Sequence, residues 1–416
     1  MLMKMEVIKN HMTVLFQSGL PIAIKMAFTL AFIKIIVLNG DVGSLADWGA
    51  VQNTVGIAVA IISLSTQSGI ASAKVSKSDD HSLMRGVVLA ATMVVLVVVF
   101  LGLVKFLPFE VALRIPIGIL LIAGFFGSVY NYLHTYLPVI GRVDYLTFLN
   151  IGYGIGIIVL LYFNGVDSVF KLSLALAAGY FFSVGLISIL IAQSERLTLN
   201  NYEWFNWPKY RYLISFGIAS LFNTVVALML LLFLRSMITE DGGGLSADYF
   251  EASVRLVSLI EAAIGSVIGI IVWRRVGQQG NASLKILLPF IAFSFLSVLG
   301  VMAVFYIFGD DLIRLIFSED YLALKSLIPS IVMFSFLKIV ISIVVIPIFL
   351  KQRIFLIVVS ELLYFGIVIV IYRSLSSVYK CDLVWFSINS MSLGLLSCLV
   401  IFVLASREKK SNAEVF

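Results

Sequence analysis

Long apolar stretches alternate with short polar gaps along the whole chain. Each stretch reaches about the 20 residues that a helix needs to cross the hydrocarbon core of a bilayer. The pattern therefore predicts an all-α integral membrane protein with twelve transmembrane helices. The predicted spans are 12–39, 48–73, 86–104, 115–141, 145–166, 172–194, 212–234, 252–273, 286–309, 326–350, 354–372 and 383–406.

Composition and charge agree with this class and set the orientation of the spans. With 61% hydrophobic and 12% charged residues, the chain has too little polar surface for a soluble fold. Gaps on the side of both termini hold 17 Lys and Arg residues, and the opposite gaps hold 8. The positive-inside rule therefore places both termini in the cytoplasm of a multi-pass membrane protein. The net charge of +6 follows from this topology, and we expect no nucleic-acid partner.

The gaps are short, and tryptophans mark the ends of the spans. The longest gaps are 195–211, 235–251 and 310–325, so we expect no soluble domain. The gap 310–325 mixes apolar and charged residues in a way that fits an interfacial helix. Five tryptophans fall at predicted span ends, where aromatic belts form at the membrane interface. They are Trp48, Trp204, Trp207, Trp273 and Trp385.

A weak internal repeat divides the chain into two halves. Residues 46–83 align without a gap on 247–284, which equates the second span with the eighth. Six spans per half give both halves one orientation, so we expect two six-helix bundles related by a pseudo-two-fold axis along the membrane normal. The predicted parts are an N-terminal bundle (1–194), a cytoplasmic linker (195–211), a C-terminal bundle (212–406) and a cytoplasmic tail (407–416).

Six charged side chains fall inside the predicted spans instead of in the gaps. Ionised groups at membrane depth are costly unless they meet a partner or water, so each is a functional candidate. The six are Lys25, Lys34, Arg255, Glu261, Lys338 and Glu361. Four positive and two negative charges at this depth favour an anionic cargo.

Lys25 lies near the middle of the first span, four residues after Pro21. Proline removes a backbone hydrogen bond and favours a bend, so we predict that Pro21 is a hinge beside a cavity-lining cation. The alternative is a buried lysine held by a structural carboxylate. Lys34 follows nine residues later, on the opposite helix face, and can snorkel to the membrane interface.

Arg255 and Glu261 share the eighth span, where six residues place them about 240° apart on a helix. They are therefore not expected to pair, and Glu251, one turn before Arg255, is the better structural partner. Glu261 is interpreted in three ways: a counter-ion of Lys25, a proton or cation carrier, or a structural acid kept neutral by burial. We predict that Arg255 and Glu261 line the substrate cavity.

Lys338 and Glu361 lie in neighbouring spans and can face each other. Their interaction would either tie two helices together or contact substrate. His134 is a further candidate, with a satisfied polar core group as the alternative. The sequence shows no nucleotide-binding loop, metal-ligand cluster or nucleophile with a base, so we expect neither an enzyme nor a metal or other cofactor.

Two small-residue patterns predict close packing of helices instead of a binding site. They are Gly152-x-x-x-Gly156 and Gly265-x-x-x-Gly269. Glycines at this spacing let the backbones of membrane helices approach each other.

The C-terminal half contains a run of residues that resembles a known family. The run comprises Ile313-Arg314-Leu315-Ile316-Phe317-Ser318, Tyr321-Leu322-Ala323-Leu324-Lys325, Phe336-Leu337-Lys338-Ile339, Arg353-Ile354-Phe355 and Ser360-Glu361. Over residues 210–370 the chain resembles the Wzx-type flippases. Its plan of two six-helix bundles resembles the wider multidrug/oligosaccharidyl-lipid/polysaccharide exporter superfamily.

This resemblance implies a function at the bacterial inner membrane. Such a protein moves an undecaprenyl-diphosphate-linked oligosaccharide, the O-antigen repeat unit, from the cytoplasmic to the periplasmic leaflet by alternating access. The family implies a central cavity lined mainly by the first, second, seventh and eighth helices, which carry Lys25, Arg255 and Glu261. The implied partners are membrane lipids, the O-antigen polymerase and the chain-length regulator.

Two other functions fit parts of the pattern. A cation-coupled multidrug antiporter of the same superfamily would want an acidic cavity in the N-terminal bundle, but the spans there contain no Asp or Glu. An integral-membrane O-antigen polymerase or glycosyltransferase would be expected to carry a large loop with convergent polar groups, and the gaps here are short.

Overall fold

The computed structural model describes residues 2–63, 115–139, 143–194, 207–265, 268, 272, 284–350, 354–376 and 382–407. In this part of the chain all regular structure is helical, and ten helices are long and apolar enough to cross a membrane. The predicted all-α membrane class is confirmed. The predicted third span (86–104), most of the linker and most of the tail lie outside the described residues, as do the ends of the second and eighth spans.

The helices follow the predicted spans closely. We number them α1 (Leu2–Asn39), α2 (Ser44–Ser63), α3 (Ile117–Val139), α4 (Val143–Asn164), α5 (Val169–Ser194), α6 (Trp207–Ile260), α7 (Leu284–Ile316), α8 (Ile328–Leu350), α9 (Ile354–Ser376) and α10 (Leu383–Arg407). A π-helical turn, Glu261–Gly265, continues α6. Most ends fall within a few residues of the prediction because apolar length alone sets them.

The predicted gap 235–251 is wrong as a loop, because α6 is helical on both sides of a single break at Gly243. Gly243 has φ 76, a left-handed conformation that glycine adopts without steric cost. Arg235 and Glu251 are in contact across this break, although 16 residues of straight helix would separate them by about 24 Å. The chain therefore turns back at Gly243, and α6 contains the seventh predicted span and the beginning of the eighth.

The predicted interfacial helix in the gap 310–325 corresponds to two elements. Helix α7 continues to Ile316, and a 3₁₀ helix, Glu319–Leu327, leads directly into α8. Tyr321 and Leu324 of the 3₁₀ helix are buried, and Tyr321 stacks on Phe317 with ring centroids 5.3 Å apart. This segment is packed into the helical core by its apolar side chains.

The chain divides into two compact units. Unit 1 comprises Met1–Gly40 and Thr54–Gly217, and unit 2 comprises Asp41–Asn53 and Ile218–Phe416. In unit 1, α4 packs against α1 and α5, and α3 packs against α5. In unit 2, α10 packs against α8 and α9, and α7 packs against α8. The first ten residues of α2 thus belong to the unit formed by the C-terminal half.

Trp48 does not belong to an aromatic belt, contrary to the prediction. Its side chain is fully buried inside unit 2, whereas Trp385 at the start of α10 is exposed. The position of a tryptophan at a span end predicts its depth in the membrane but not the side of the helix on which it lies. Trp48 lies on a side of α2 that packs against protein.

The motif Gly152-x-x-x-Gly156 packs α4 against α5, as predicted. A Cβ atom on Gly152 would lie 2.8 Å from Ser183 Cα, and one on Gly156 would lie 2.9 Å from Gly179 Cα. Ser183 Oγ also donates a hydrogen bond of 2.6 Å to the Leu149 carbonyl, across the same contact. Backbone stands directly against backbone here, so no flexible side chain can move aside.

We therefore expect Gly152→Ala to destabilise the protein by about 1 to 3 kcal/mol, the usual cost of forcing extra volume into a packed contact. Gly185→Ala in α5 is the matched control, since no atom lies within 4 Å of a Cβ at that position. Thermal unfolding of the purified variants in detergent measures both effects. Equal melting temperatures for the two variants would contradict the packing described here.

Candidate functional site

Lys25 is an exposed cation within the membrane-spanning part of α1. The apolar window of this helix is Gly19–Asn39, so Lys25 lies inside it. Its side chain is exposed, and among the described residues no carboxylate forms an ion pair with it. Its charge acts on His134 of α3, which places both candidates in the same part of unit 1. The alternative of a structural carboxylate partner for Lys25 finds no support in the described residues.

Pro21 is buried one turn before Lys25, and α1 continues through it as a single helix. The Pro21 carbonyl accepts a hydrogen bond of 3.0 Å from Asn150 Nδ2 of α4. Asn150 Oδ1 in turn accepts a hydrogen bond of 2.9 Å from the Tyr130 hydroxyl of α3. Two neighbouring helices therefore hold the backbone at the predicted hinge. Asn150 was not singled out from the sequence. An amide among apolar residues in a predicted span needs hydrogen-bonding partners, and this was the available signal.

An aromatic cluster surrounds this polar link in unit 1. The Tyr130 ring lies 5.1 Å from Tyr153, 5.4 Å from Tyr180 and 5.7 Å from His134 between centroids. Tyr153 and Tyr180 also interact through their hydroxyl groups. The half-buried His134 thus contacts this aromatic cluster through Tyr130. Lys34, further along α1, is half-buried.

Arg255 is committed to a buried ion cluster in unit 2. Its guanidinium pairs with Glu251 one turn earlier, which confirms the predicted partner, and Arg235 pairs with the other oxygen of the same carboxylate. The side chains of Arg235, Glu251 and Arg255 are 6%, 1% and 15% exposed. Sequence reasoning missed Arg235 because it fell in a predicted loop. Arg255 is therefore engaged in a buried ion pair, and its predicted place in a substrate cavity stays a prediction.

Helix α2 packs directly on this cluster. A Cβ on Gly49 would overlap the Glu251 carboxylate, so only glycine lets the two groups meet. One turn of helix before Glu251, Asp248 accepts hydrogen bonds from the backbone N–H groups of Gly43 (2.6 Å) and Ala46 (2.8 Å). Asp248 therefore caps the N-terminus of α2 from a different helix, a favourable place for a carboxylate.

Glu261 forms an ion pair with Lys338 of α8. The Lys338 Nζ and Glu261 Oε2 atoms are 2.5 Å apart, and the two side chains are 35% and 33% exposed. Glu261 begins the π-helical turn, a feature that often marks functional positions. Glu261 is thus a counter-ion of Lys338, which none of the three interpretations proposed. No described contact supports Lys25 as its partner, and the carrier and neutral-acid interpretations stay predictions.

Glu361 does not pair with Lys338, because Lys338 is engaged with Glu261. Among the described residues no cation forms an ion pair with Glu361, which is half-buried on α9. Tyr364 and the buried Cys398 are its electrostatic neighbours. The Cys398 thiol donates to the Ser360 carbonyl at 3.2 Å and so packs α10 against α9. These contacts fit a helix-packing role at this position.

Comparisons with known proteins identify the fold. No protein-family model and no curated protein sequence matches the chain. Among solved structures, the eukaryotic MATE transporter AtDTX14 gives a TM-score of 0.66 at 15% identity, covering 95% of this chain and 96% of that one. The Vibrio cholerae MATE transporter VcmN gives 0.63 at 12% identity, covering 97% of both chains.

A third solved structure is a MOP-superfamily transporter from Pyrococcus furiosus whose binding pocket is described as having reverse polarity. It gives a TM-score of 0.62 at 16% identity, with 94% of each chain covered. All three matches extend over nearly the full length of both partners. The chain therefore has the all-α, two-lobe membrane fold of the MATE transporters of the MOP superfamily.

The buried cluster around Glu251 predicts a large stability effect. Glu251→Gln would leave two guanidinium groups buried without their counter-ion, a loss that typically costs about 3 to 5 kcal/mol. The matched control is Glu319→Gln, which breaks a 3.6 Å pair with Arg314 between side chains 79% and 50% exposed. We expect a strongly lowered melting temperature for Glu251→Gln and an almost unchanged one for Glu319→Gln. Similar melting temperatures for the two variants would refute the stabilising role of the cluster.

Proposed function

We propose that this protein is a flippase that moves an undecaprenyl-diphosphate-linked oligosaccharide across the bacterial inner membrane, from the cytoplasmic to the periplasmic leaflet. The observation that carries the proposal is Lys25, an exposed cation inside a membrane-spanning window, with no ion-pair partner among the described residues. An unpaired charge at that depth needs water or an anionic ligand. A diphosphate headgroup supplies such a ligand.

The charge pattern of unit 1 supports an anionic cargo. The described membrane windows of unit 1 contain one Asp or Glu. It is Asp144, which stands at the start of α4 and is exposed. A site for organic cations or for a coupling cation would be expected to include a carboxylate at depth. Lys25, which has no ion-pair partner among the described residues, suits phosphate oxygens instead.

A second candidate function, a cation-coupled multidrug antiporter, is favoured by the fold alone. Several of the matched solved structures are MATE transporters, one of them described as a multidrug resistance transporter. One fold can serve unrelated cargoes, so cargo has to be argued from the site. The Pyrococcus furiosus transporter, described as having a pocket of reverse polarity and a different function, supports the view that this fold is not restricted to one cargo charge.

The proposed mechanism follows from the cost of moving phosphates through hydrocarbon. The polyprenyl tail stays in lipid while the headgroup crosses through a wet path beside Lys25, and the units alternate their access to the two leaflets. Asn150 holds the backbone at Pro21 and so fixes the direction in which the Lys25 segment of α1 points. An inside-negative potential favours outward movement of an anion by about 2.3 kcal/mol per charge per 100 mV.

Charge reversal at Lys25 tests the proposal. In proteoliposomes loaded with fluorescent undecaprenyl-diphosphate-linked oligosaccharide, we expect Lys25→Glu to lower the flipping rate by at least about tenfold, or about 1.4 kcal/mol in the barrier. Lys25→Arg should retain most of the rate because it keeps the cation. The control is Lys171→Glu, which makes the same charge change at the start of α5, where Lys171 pairs with the exposed Asp167.

Wild-type flipping in the Lys25→Glu protein, at normal abundance, would remove Lys25 from the mechanism. A separate assay distinguishes the two candidate functions. An antiporter would use an inward proton or sodium gradient to extrude cationic dyes from cells. We expect no dye efflux above that of empty membranes. Dye efflux without lipid flipping would show that the protein is an antiporter and not a flippase.

A further inference from the structure

Unit 2 contains two ion-pair clusters that differ in their access to solvent. Glu251 and its two arginines are between 1% and 15% exposed, whereas Glu261 and Lys338 are both about one-third exposed. A buried pair cannot lose one partner without a large penalty. A partly solvated pair contributes little net stability, so one of its members can be exchanged for another ion.

We propose that Glu261 and Lys338 form a second headgroup site, in which a phosphate of the cargo displaces Glu261 from Lys338 and the freed carboxylate accepts hydrogen bonds from sugar hydroxyls. This inference rests on the proposed function and assigns a substrate site to unit 2.

The pair lies deep in the membrane-spanning part of unit 2. Lys338 is the eleventh of the 23 residues of α8, so about 15 Å of helix separates it from the first residue of α8. Side chains that are one-third exposed at that depth face either lipid or water. Acyl chains cannot solvate an ammonium or a carboxylate, so exposure of an ion pair here indicates access to water.

The backbone at Glu261 is suited to such an exchange. The π-helical turn Glu261–Gly265 packs against α8, and a Cβ on Gly265 would lie 3.4 Å from Ile339. Glycine at this contact keeps the turn close to Lys338. A π turn carries one residue more than an α-helical turn and interrupts the regular hydrogen-bond ladder, so local rearrangement at Glu261 leaves the rest of α6 intact.

The chemistry of the pair matches both parts of a sugar diphosphate. The Lys338 ammonium is a compact donor that binds phosphate oxygens as a point charge. A carboxylate is an acceptor with two oxygens, and it suits the hydroxyl groups of a neighbouring sugar. Until the cargo arrives, Glu261 keeps Lys338 paired and so avoids an isolated charge at depth.

Neutral substitutions of the pair test this site through the concentration dependence of flipping. Glu261→Gln frees Lys338, so we expect the half-saturating cargo concentration to fall by about three- to tenfold while the maximal rate also falls, because tighter ground-state binding slows release. Lys338→Gln removes the cation, and there the half-saturating concentration should rise by about tenfold. The double variant should resemble Lys338→Gln, since no cation remains.

A purely structural pair gives a different set of results. Both single variants would then lose melting temperature and maximal rate together, with unchanged half-saturation, and the double variant would be less impaired than either single one. That set overturns the inference. Lys338→Arg, which keeps the charge, should behave like the wild type at a binding site and serves if Lys338→Gln does not fold.

The same vesicles separate this inference from the proposed function. Absence of flipping by the wild-type protein would refute the proposed function, whereas wild-type flipping with unchanged half-saturation in both single variants would refute only the second site. Undecaprenyl phosphate without a sugar distinguishes the two roles within the pair. We expect Lys338→Gln to weaken its competition with the cargo. Glu261→Ala frees Lys338 and should strengthen this competition, but it should strengthen binding of the sugar-bearing lipid less, because the sugar loses a hydrogen-bond acceptor. The reverse pattern would overturn the assignment.

Discussion

An ionised side chain inside a bilayer must find a counter-ion, a hydrogen-bonding partner or water, and this constraint organises the whole structure. The fold is built from helices because each satisfies its own backbone hydrogen bonds in lipid. The charged residues at depth then show where the protein departs from simple apolar packing. Glu251 is enclosed by two arginines, Glu261 and Lys338 share a partly hydrated pair, and Lys25 stands exposed.

These three arrangements correspond to three different roles. The buried cluster at Glu251 stabilises unit 2 and packs against α2 at Gly49, where a Cβ would overlap the carboxylate. In the partly exposed pair of Glu261 and Lys338, the lysine is accessible to another anion, as the proposed second site requires. Among the described residues no carboxylate pairs with Lys25, so its charge needs water or an anionic ligand. Under the proposed function, a cargo with several negative charges would supply that ligand.

The sequence predicted the helices well and their charge pairing only where both partners lie on one helix. Apolar length determines the spans, so the bounds of α4, α5 and α8 agree with the prediction within a few residues. The pair of Glu251 and Arg255 follows from a spacing of four residues. The pair of Glu261 and Lys338 joins two helices 77 positions apart, and no spacing rule brings such residues together.

Other features that the sequence analysis did not predict depend on how the helices pack against each other. Arg235 and the burial of Trp48 depend on the turn at Gly243 and on the packing of α2 into unit 2, which are tertiary features. Low hydrophobicity made 235–251 resemble a loop, although its residues continue the helices on both sides of a single glycine. Asn150 was hidden because one amide in an apolar helix changes the hydropathy very little, yet its bond to Pro21 restrains the predicted hinge.

The fold and the cargo are therefore determined by different residues. Apolar length and small-residue contacts such as Gly152 against Ser183 specify a scaffold that this chain shares with transporters at 12% to 16% identity. Under the proposed function, Lys25, which has no ion-pair partner among the described residues, would distinguish this protein from an exporter of cations, because a fixed positive charge at depth attracts anions and repels cations. The polarity of a few residues, and not the arrangement of helices, selects the cargo.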